Sequence, residues 1–152
     1  MLTIISILQL AIFVAYVVFI YYRYGLLTSI SASTYKLQGN ERWYFLAFLW
    51  SIGLLNFFQG MEVWGFWASA GLFFSGITID HESSGAHTDI VHAVGTIAAI
   101  AFTFIGLWVL YGMWIPAVLV AASAAALYKT KYFIWWIEII AMGLAIGSYL
   151  LR

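Results

Sequence analysis

The chain of 152 residues has no cysteine, one proline and very little charge, with charged side chains at only 8% of positions. Without cysteine there can be no disulfide, no thiolate nucleophile and no thiolate metal ligand. Six basic and six acidic residues balance to a formal net charge of zero, which leaves no basic patch to release counterions from phosphate and excludes electrostatic recruitment of nucleic acid. Ordinary soluble domains carry about 25% charged residues. What fills the space is apolar: 65% of the chain is hydrophobic and 20% is aromatic. A small globule leaves much of its area in water and could not hide so much apolar surface. Lipid is the natural solvent for this sequence, which reads as an integral membrane protein.

Six stretches come near the length of about 20 mostly apolar residues that a spanning helix needs. They cover residues 2–22, 43–60, 62–79, 89–112, 114–128 and 132–151. The apolar runs are continuous rather than alternating, which argues against lipid-exposed strands. The sequence therefore predicts an all-α, polytopic transmembrane helix bundle of about six spans, with residues 1–152 forming one domain. The fifth stretch is short for a span and begins beside Pro116, a residue suited to the first turn of a helix. It is expected to be tilted or partly shielded. The N-terminal stretch lacks a basic leader region and a small-residue cleavage site, so it reads as a retained span rather than a removed signal.

Six spans place both termini on one side. Arg23, Lys36, Arg42, Lys129 and Lys131 fall in the connections on the other side, which the positive-inside rule makes cytoplasmic. Both termini are then non-cytoplasmic, and the setting is a prokaryotic inner membrane. Trp43, Trp64, Trp67, Trp114, Tyr128 and Tyr132 sit near span ends, where interfacial aromatics belong. Two small-residue ridges, Gly143/Gly147 and Gly95/Ala99/Thr103, offer places where helix backbones could approach closely.

The scarce titratable groups are concentrated. The stretch "DHESSGAHTDIVHAVG" holds all three histidines, His81, His87 and His92, together with Asp80, Glu82 and Asp89. It is the third connection, on the same predicted face as the first, "TSISASTYKLQGNER". Glu138 lies six residues into the last span from that side, about 9 Å deep at 1.5 Å per residue. Two readings compete. One is a zinc site, with Asp80, His87 and His92 holding the ion and Glu138 or Asp89 acting as base for its water. The spacing matches no specific metal motif, and there is no H-E-x-x-H. The other is a turn that is polar because it lies in water, with Asp89 favouring the positive end of a helix. That reading suits His81, Glu82 and His87 better than His92, which enters the apolar region.

A carboxyl inside a span costs about 2.5–3.5 kcal/mol at the helix centre and marks either function or pairing. For Glu138 the candidate partners are His92, a serine and Lys131. Asn56 and Gln59, deep and toward the opposite face, are expected to make interhelical hydrogen bonds. No nucleophile elbow, Walker loop or Rossmann loop is present, and no histidine pair on facing spans could ligate haem. The polar groups gather at two surfaces with a gap between, a pattern that argues against a channel within one subunit.

The serine-rich "SISASTYKL" after the first span and the "VHAVGTIAAIAF" helix start resemble small bacterial multi-span membrane proteins of unknown function of the DRAM/Frag type, with Ser29, Ser31, Asp80 and His92 carrying the likeness. More distantly, serine, aspartate and histidines near one face resemble the alkaline ceramidase and adiponectin-receptor superfamily, whose members hold zinc with histidines and hydrolyse lipid amides. That superfamily has seven spans and places an H-x-x-x-H in the last one. The last span here holds no histidine, only Glu138. The leading expectation is a non-enzymatic membrane-complex subunit or lipid- or ligand-interacting protein. Its partners would be membrane lipids and other membrane subunits or further copies of itself. The alternative is a metal-dependent hydrolase acting on a lipid at the cytoplasmic interface.

Overall fold

Continuous apolar runs can satisfy their backbone polar groups in lipid only as helices or as closed barrels. In the computed structural model of the chain they are helices. It describes residues 2–59, 62–77 and 86–151, with the backbone alone at 77 and 86–89. Among the described residues there are six α-helices and no strand: α1 (Leu2–Tyr24), α2 (Arg42–Phe57), α3 (Glu62–Ile77), α4 (Ala86–Tyr111), α5 (Ile115–Leu127) and α6 (Phe133–Leu151). The helix α1, the part of α4 from Ile90 to Tyr111, and α6 are long and apolar enough to cross a membrane. The others are shorter. At 1.5 Å per residue, the 16 residues of α2 and of α3 reach about 24 Å and the 13 of α5 about 20 Å. Pro116 stands in the first turn of α5, where its missing N–H removes no helical bond. Glycine ends the two longest helices. Gly25 (φ +75°) and Gly112 (φ +67°) adopt left-handed backbone, and their N–H groups donate to Tyr21 and Trp108 carbonyls at 2.9 and 2.8 Å.

Successive helices run in opposite directions. The helices α1 to α4 pack in sequence order, α6 closes the ring against α1 and α4, and α5 lies against α6. One end of the bundle, the basic end, carries residues 25–41 and 128–132; Leu2 and Leu151 lie at the opposite, terminal end. Segment 25–41 is not a loose loop. Leu27, Ile30 and Leu37 are buried, and a 3-10 turn from Ser31 to Tyr35 folds back over the bundle.

The tightest helix contact is between α3 and α4. A Cβ placed on Gly71 would lie 2.5 Å from the Gly95 carbonyl oxygen, and one on Gly95 would lie 2.8 Å from the Gly71 carbonyl oxygen. These two backbones touch because neither residue has a side chain. The Gly95/Ala99 ridge thus faces α3; its spacing suggested a close helix approach without naming the partner. The Gly143/Gly147 pair does not behave this way, since a Cβ at either position meets nothing within 4 Å.

Polarity is distributed inside out. Ser6, Gln9, Asn56, Gln59, Ser75 and Thr103 are buried, whereas Ile4, Val94, Ile97 and Trp108 each expose more than half of their surface. Of the aromatics expected at span ends, Trp43, Trp67, Trp114 and Tyr128 are exposed. Contiguous apolar surface of this kind is rare on soluble monomers.

Candidate functional site

The packed stripe of α6 positions Glu138. Trp135, Ala141, Ile146 and Tyr149 are buried, and Glu138 lies three residues from both Trp135 and Ala141, so the face that carries them turns Glu138 toward α1 and the first connection. The chain after α1 meets it there. Trp135 N–H donates to the Thr28 carbonyl at 3.1 Å. The Ile30 N–H donates to Oε2 of Glu138, and Ser31 Oγ donates to its Oε1 at 3.0 Å. The carboxyl is a clamp between α6 and the 3-10 turn. Of the three partners open from the sequence, a serine is the one found, joined by a backbone N–H that sequence could not reveal. Lys131 instead sets its Nζ 5.4 Å from the centre of the Tyr132 ring.

Inner bonds hold the same turn. Ser29 Oγ accepts from Ala32 N–H at 2.9 Å, and Thr34 Oγ1 donates to the Ser31 carbonyl at 2.9 Å. Tyr16 OH and Ser33 Oγ lie 2.6 Å apart, and the Tyr16 ring stacks on Phe48 at 4.2 Å. Nothing in the sequence singled out Tyr16, because a tyrosine in a span looks like packing until its partner is known.

His92 is fixed from α3. Its Nδ1 lies 2.9 Å from the Ser75 carbonyl, an acceptor only, so Nδ1 carries the proton. Ser75 Oγ is 3.3 Å from the His92 carbonyl and 3.0 Å from Thr96 Oγ1. A cavity of about 50 Å³ lies between this cluster and the clamp, with Ser31, Ser75, His92, Thr96 and Glu138 in its wall. Two of the five candidate residues therefore meet at one cavity. Asp80 lies outside the described residues, and so do the side chains of His87 and Asp89, which sit on the first turn of α4. Among the described residues no three of His, Asp and Glu converge as metal ligands would.

A second polar cluster occupies the terminal end. Gln59 Nε2 donates to Ser6 Oγ at 2.9 Å and to Gln9 Oε1 at 2.7 Å, while Tyr149 OH donates to Asn56 Oδ1 at 2.7 Å. Asn56 and Gln59 thus make the interhelical bonds expected of them. Their partners Ser6, Gln9 and Tyr149 were missed, although Ser6 and Gln9, three apart in an apolar helix, form a polar face that could have been noticed. Gln59→Leu is expected to lower stability by about 1 kcal/mol, because it leaves the buried Gln9 Oε1 and Ser6 Oγ without the amide that donates to them. Adding Gln9→Leu should recover part of that loss in thermal unfolding in detergent. Equal or additive losses would show that the pair is not coupled.

Compared with known proteins, the chain matches no family model, no curated protein and no solved structure.

Proposed function

We propose that all six helices cross a prokaryotic inner membrane with both termini on the non-cytoplasmic side. On this reading the protein is a non-enzymatic membrane-complex subunit, in contact with lipids and partner helices through its outward face. One observation carries it: the ionisable and amide groups inside the helices bind the protein's own elements together, as Glu138 binds Ile30 and Ser31, while large apolar side chains face outward. Groups so engaged stabilise a scaffold. Of the four positions on which a likeness to small DRAM/Frag-type membrane proteins is proposed, Ser29 and Ser31 build the clamped turn and His92 ties α4 to α3, while Asp80 lies outside the described residues.

Native mass spectrometry from mild detergent is expected to show a homo-oligomer or a co-purifying membrane protein. A clean monomer with neither would overturn the subunit reading. Reporter fusions at 36 and 130 should be cytoplasmic, and one at the C-terminus external.

A second reading, a metal-dependent hydrolase acting on lipid, draws on the shared cavity of His92 and Glu138 and on the Nδ1–H to carbonyl bond, an arrangement usual in metal-bound imidazoles. Asp80, His87 and His92 would hold zinc, which would polarise a lipid carbonyl, with Glu138 or Asp89 as base. Elemental analysis separates the two. About one zinc per chain, lost in His92→Ala, is the hydrolase result, and its absence from purified protein is the scaffold result.

A further inference from the structure

Among the neighbours in the ring, α4 and α6 are the least closely packed, and a pocket of about 60 Å³ lies along their seam. Ile100 and Phe104 of α4 and Ala141, Met142 and Ala145 of α6 form its long walls. On α6 its lining runs from Ala141 to Tyr149, about 12 Å at 1.5 Å per residue. The pocket is thus a narrow, partly open slot that follows the helix axes, and almost all of its wall is apolar. Its two ends differ. Asn56 and Tyr149 stand in the last turns of α2 and α6, toward the terminal end, whereas Leu72, Ala99 and Met142 enclose the inner end.

Asn56 makes this slot more than a packing gap. The residue is 3% exposed, its Oδ1 accepts from Tyr149 OH, and its Nδ2 is buried with no partner among the described residues. Buried donors in folded proteins nearly always have an acceptor. The neighbouring amides have theirs: Gln59 donates to Ser6 and Gln9, and Gln9 Nε2 lies 3.5 Å from the Ile52 carbonyl. Asn56 is the exception, and it stands in the pocket wall. An apolar slot with one such donor suits a ligand that is apolar along its length and carries an acceptor at one end.

We infer that the slot between α4 and α6 binds one acyl chain of a phospholipid, from the leaflet at the terminal end, with the ester carbonyl of that chain accepting from Asn56 Nδ2. Size and layout select this ligand. The volume is less than half of the about 150 Å³ that holds a benzene ring, so ring systems are excluded and a flexible chain lying along the partly open slot fits. The acceptor belongs at the terminal end, beside Asn56, and the methylenes belong against Ala99, Ala141 and Met142 farther in. A phospholipid has that order, since its ester carbonyl borders the hydrocarbon core and its chain runs toward the midplane. The inference rests on the membrane crossing proposed above.

Photolabelling tests it. The full chain is reconstituted in phosphatidylethanolamine vesicles containing phosphatidylethanolamine with a diazirine on one acyl chain, irradiated, and mapped by mass spectrometry. Ala145→Phe fills the slot from a partly buried position and should lower labelling of Ile100, Phe104 and Met142 about tenfold. Asn56→Leu keeps the bulk but removes the donor, and should lower it about fivefold. Val94 and Ile97, on the outer face of α4, report bulk lipid and should be labelled equally in all three proteins. Undiminished pocket labelling in folded Ala145→Phe would overturn the site, and in folded Asn56→Leu the carbonyl contact. Absence of label at Val94 and Ile97 would instead overturn the membrane crossing of α4, which separates the two failures. The unaltered protein gives a check that needs no variant: native mass spectrometry during stepwise delipidation should show about one phospholipid per chain held after the rest has left. Loss of all lipid in a single step would overturn the inference.

Discussion

Replacing Glu138 with alanine is expected to destabilise the protein by about 2–4 kcal/mol, because two donors lose their acceptor together. The Ile30 N–H belongs to a residue that is 3% exposed, and the Ser31 hydroxyl is partly buried. Each donor left without a partner costs about 1–3 kcal/mol. Removing a carboxyl from a span returns less than the about 2.5–3.5 kcal/mol it costs at the helix centre, since Glu138 sits nearer the basic end. Glu138→Gln is the informative companion. Its amide oxygen can accept from Ile30 and its amide nitrogen can donate to Ser31, so it should stay within about 1 kcal/mol of wild type. Thermal unfolding in detergent, followed by circular dichroism, reads both variants. Limited proteolysis should find segment 25–41 cut faster in the alanine variant. An alanine variant as stable as wild type would remove the clamp from the account. A glutamine variant that folds normally but loses a lipid-hydrolysing activity would move the protein to the enzymatic reading.

The second large effect is expected at the crossing of α3 and α4. Gly71→Ala adds a carbon 2.5 Å from one backbone atom and 2.7 Å from another, and neither atom is at the end of a flexible side chain. The helices must move apart, which is overpacking of the kind that costs about 1–3 kcal/mol per small insertion. Gly95→Leu should prevent the crossing altogether. It would also collide with Ser75, whose Oγ and N lie 2.8 and 3.0 Å from the new Cβ, and so release His92 from its carbonyl. Gly143→Ala and Gly147→Ala should be neutral or raise stability by up to about 1 kcal/mol, since alanine is the better helix former. Comparing melting temperatures of Gly71→Ala and Gly143→Ala is the direct check. If both shift alike, the close approach contributes nothing.

This contrast marks how far the sequence could be read. The ridges Gly95/Ala99/Thr103 and Gly143/Gly147 look equivalent in one dimension, because small residues permit close approach without requiring it. Only a partner helix with its own glycine, Gly71, turns permission into contact. Glu138 is a similar case. Its position in an apolar run announced a partner, but Ser31 is 107 residues away in the chain and the other donor is a backbone N–H. No spacing rule reaches that far.

Composition and apolar run length, by themselves, determined the all-α architecture and the approximate limits of six helices, because in hydrocarbon the backbone must satisfy itself locally. That α1, α4 and α6 alone, among the described residues, are long and apolar enough to cross a membrane emerged from the helix limits of the structure. Tertiary structure alone decided which polar groups meet: Glu138 with the first connection, His92 with Ser75, and Gln59 with Gln9. Local rules set where a helix begins and ends. The choice of neighbour depends on which faces the packed ring turns toward one another, and that is a property of all the helices together.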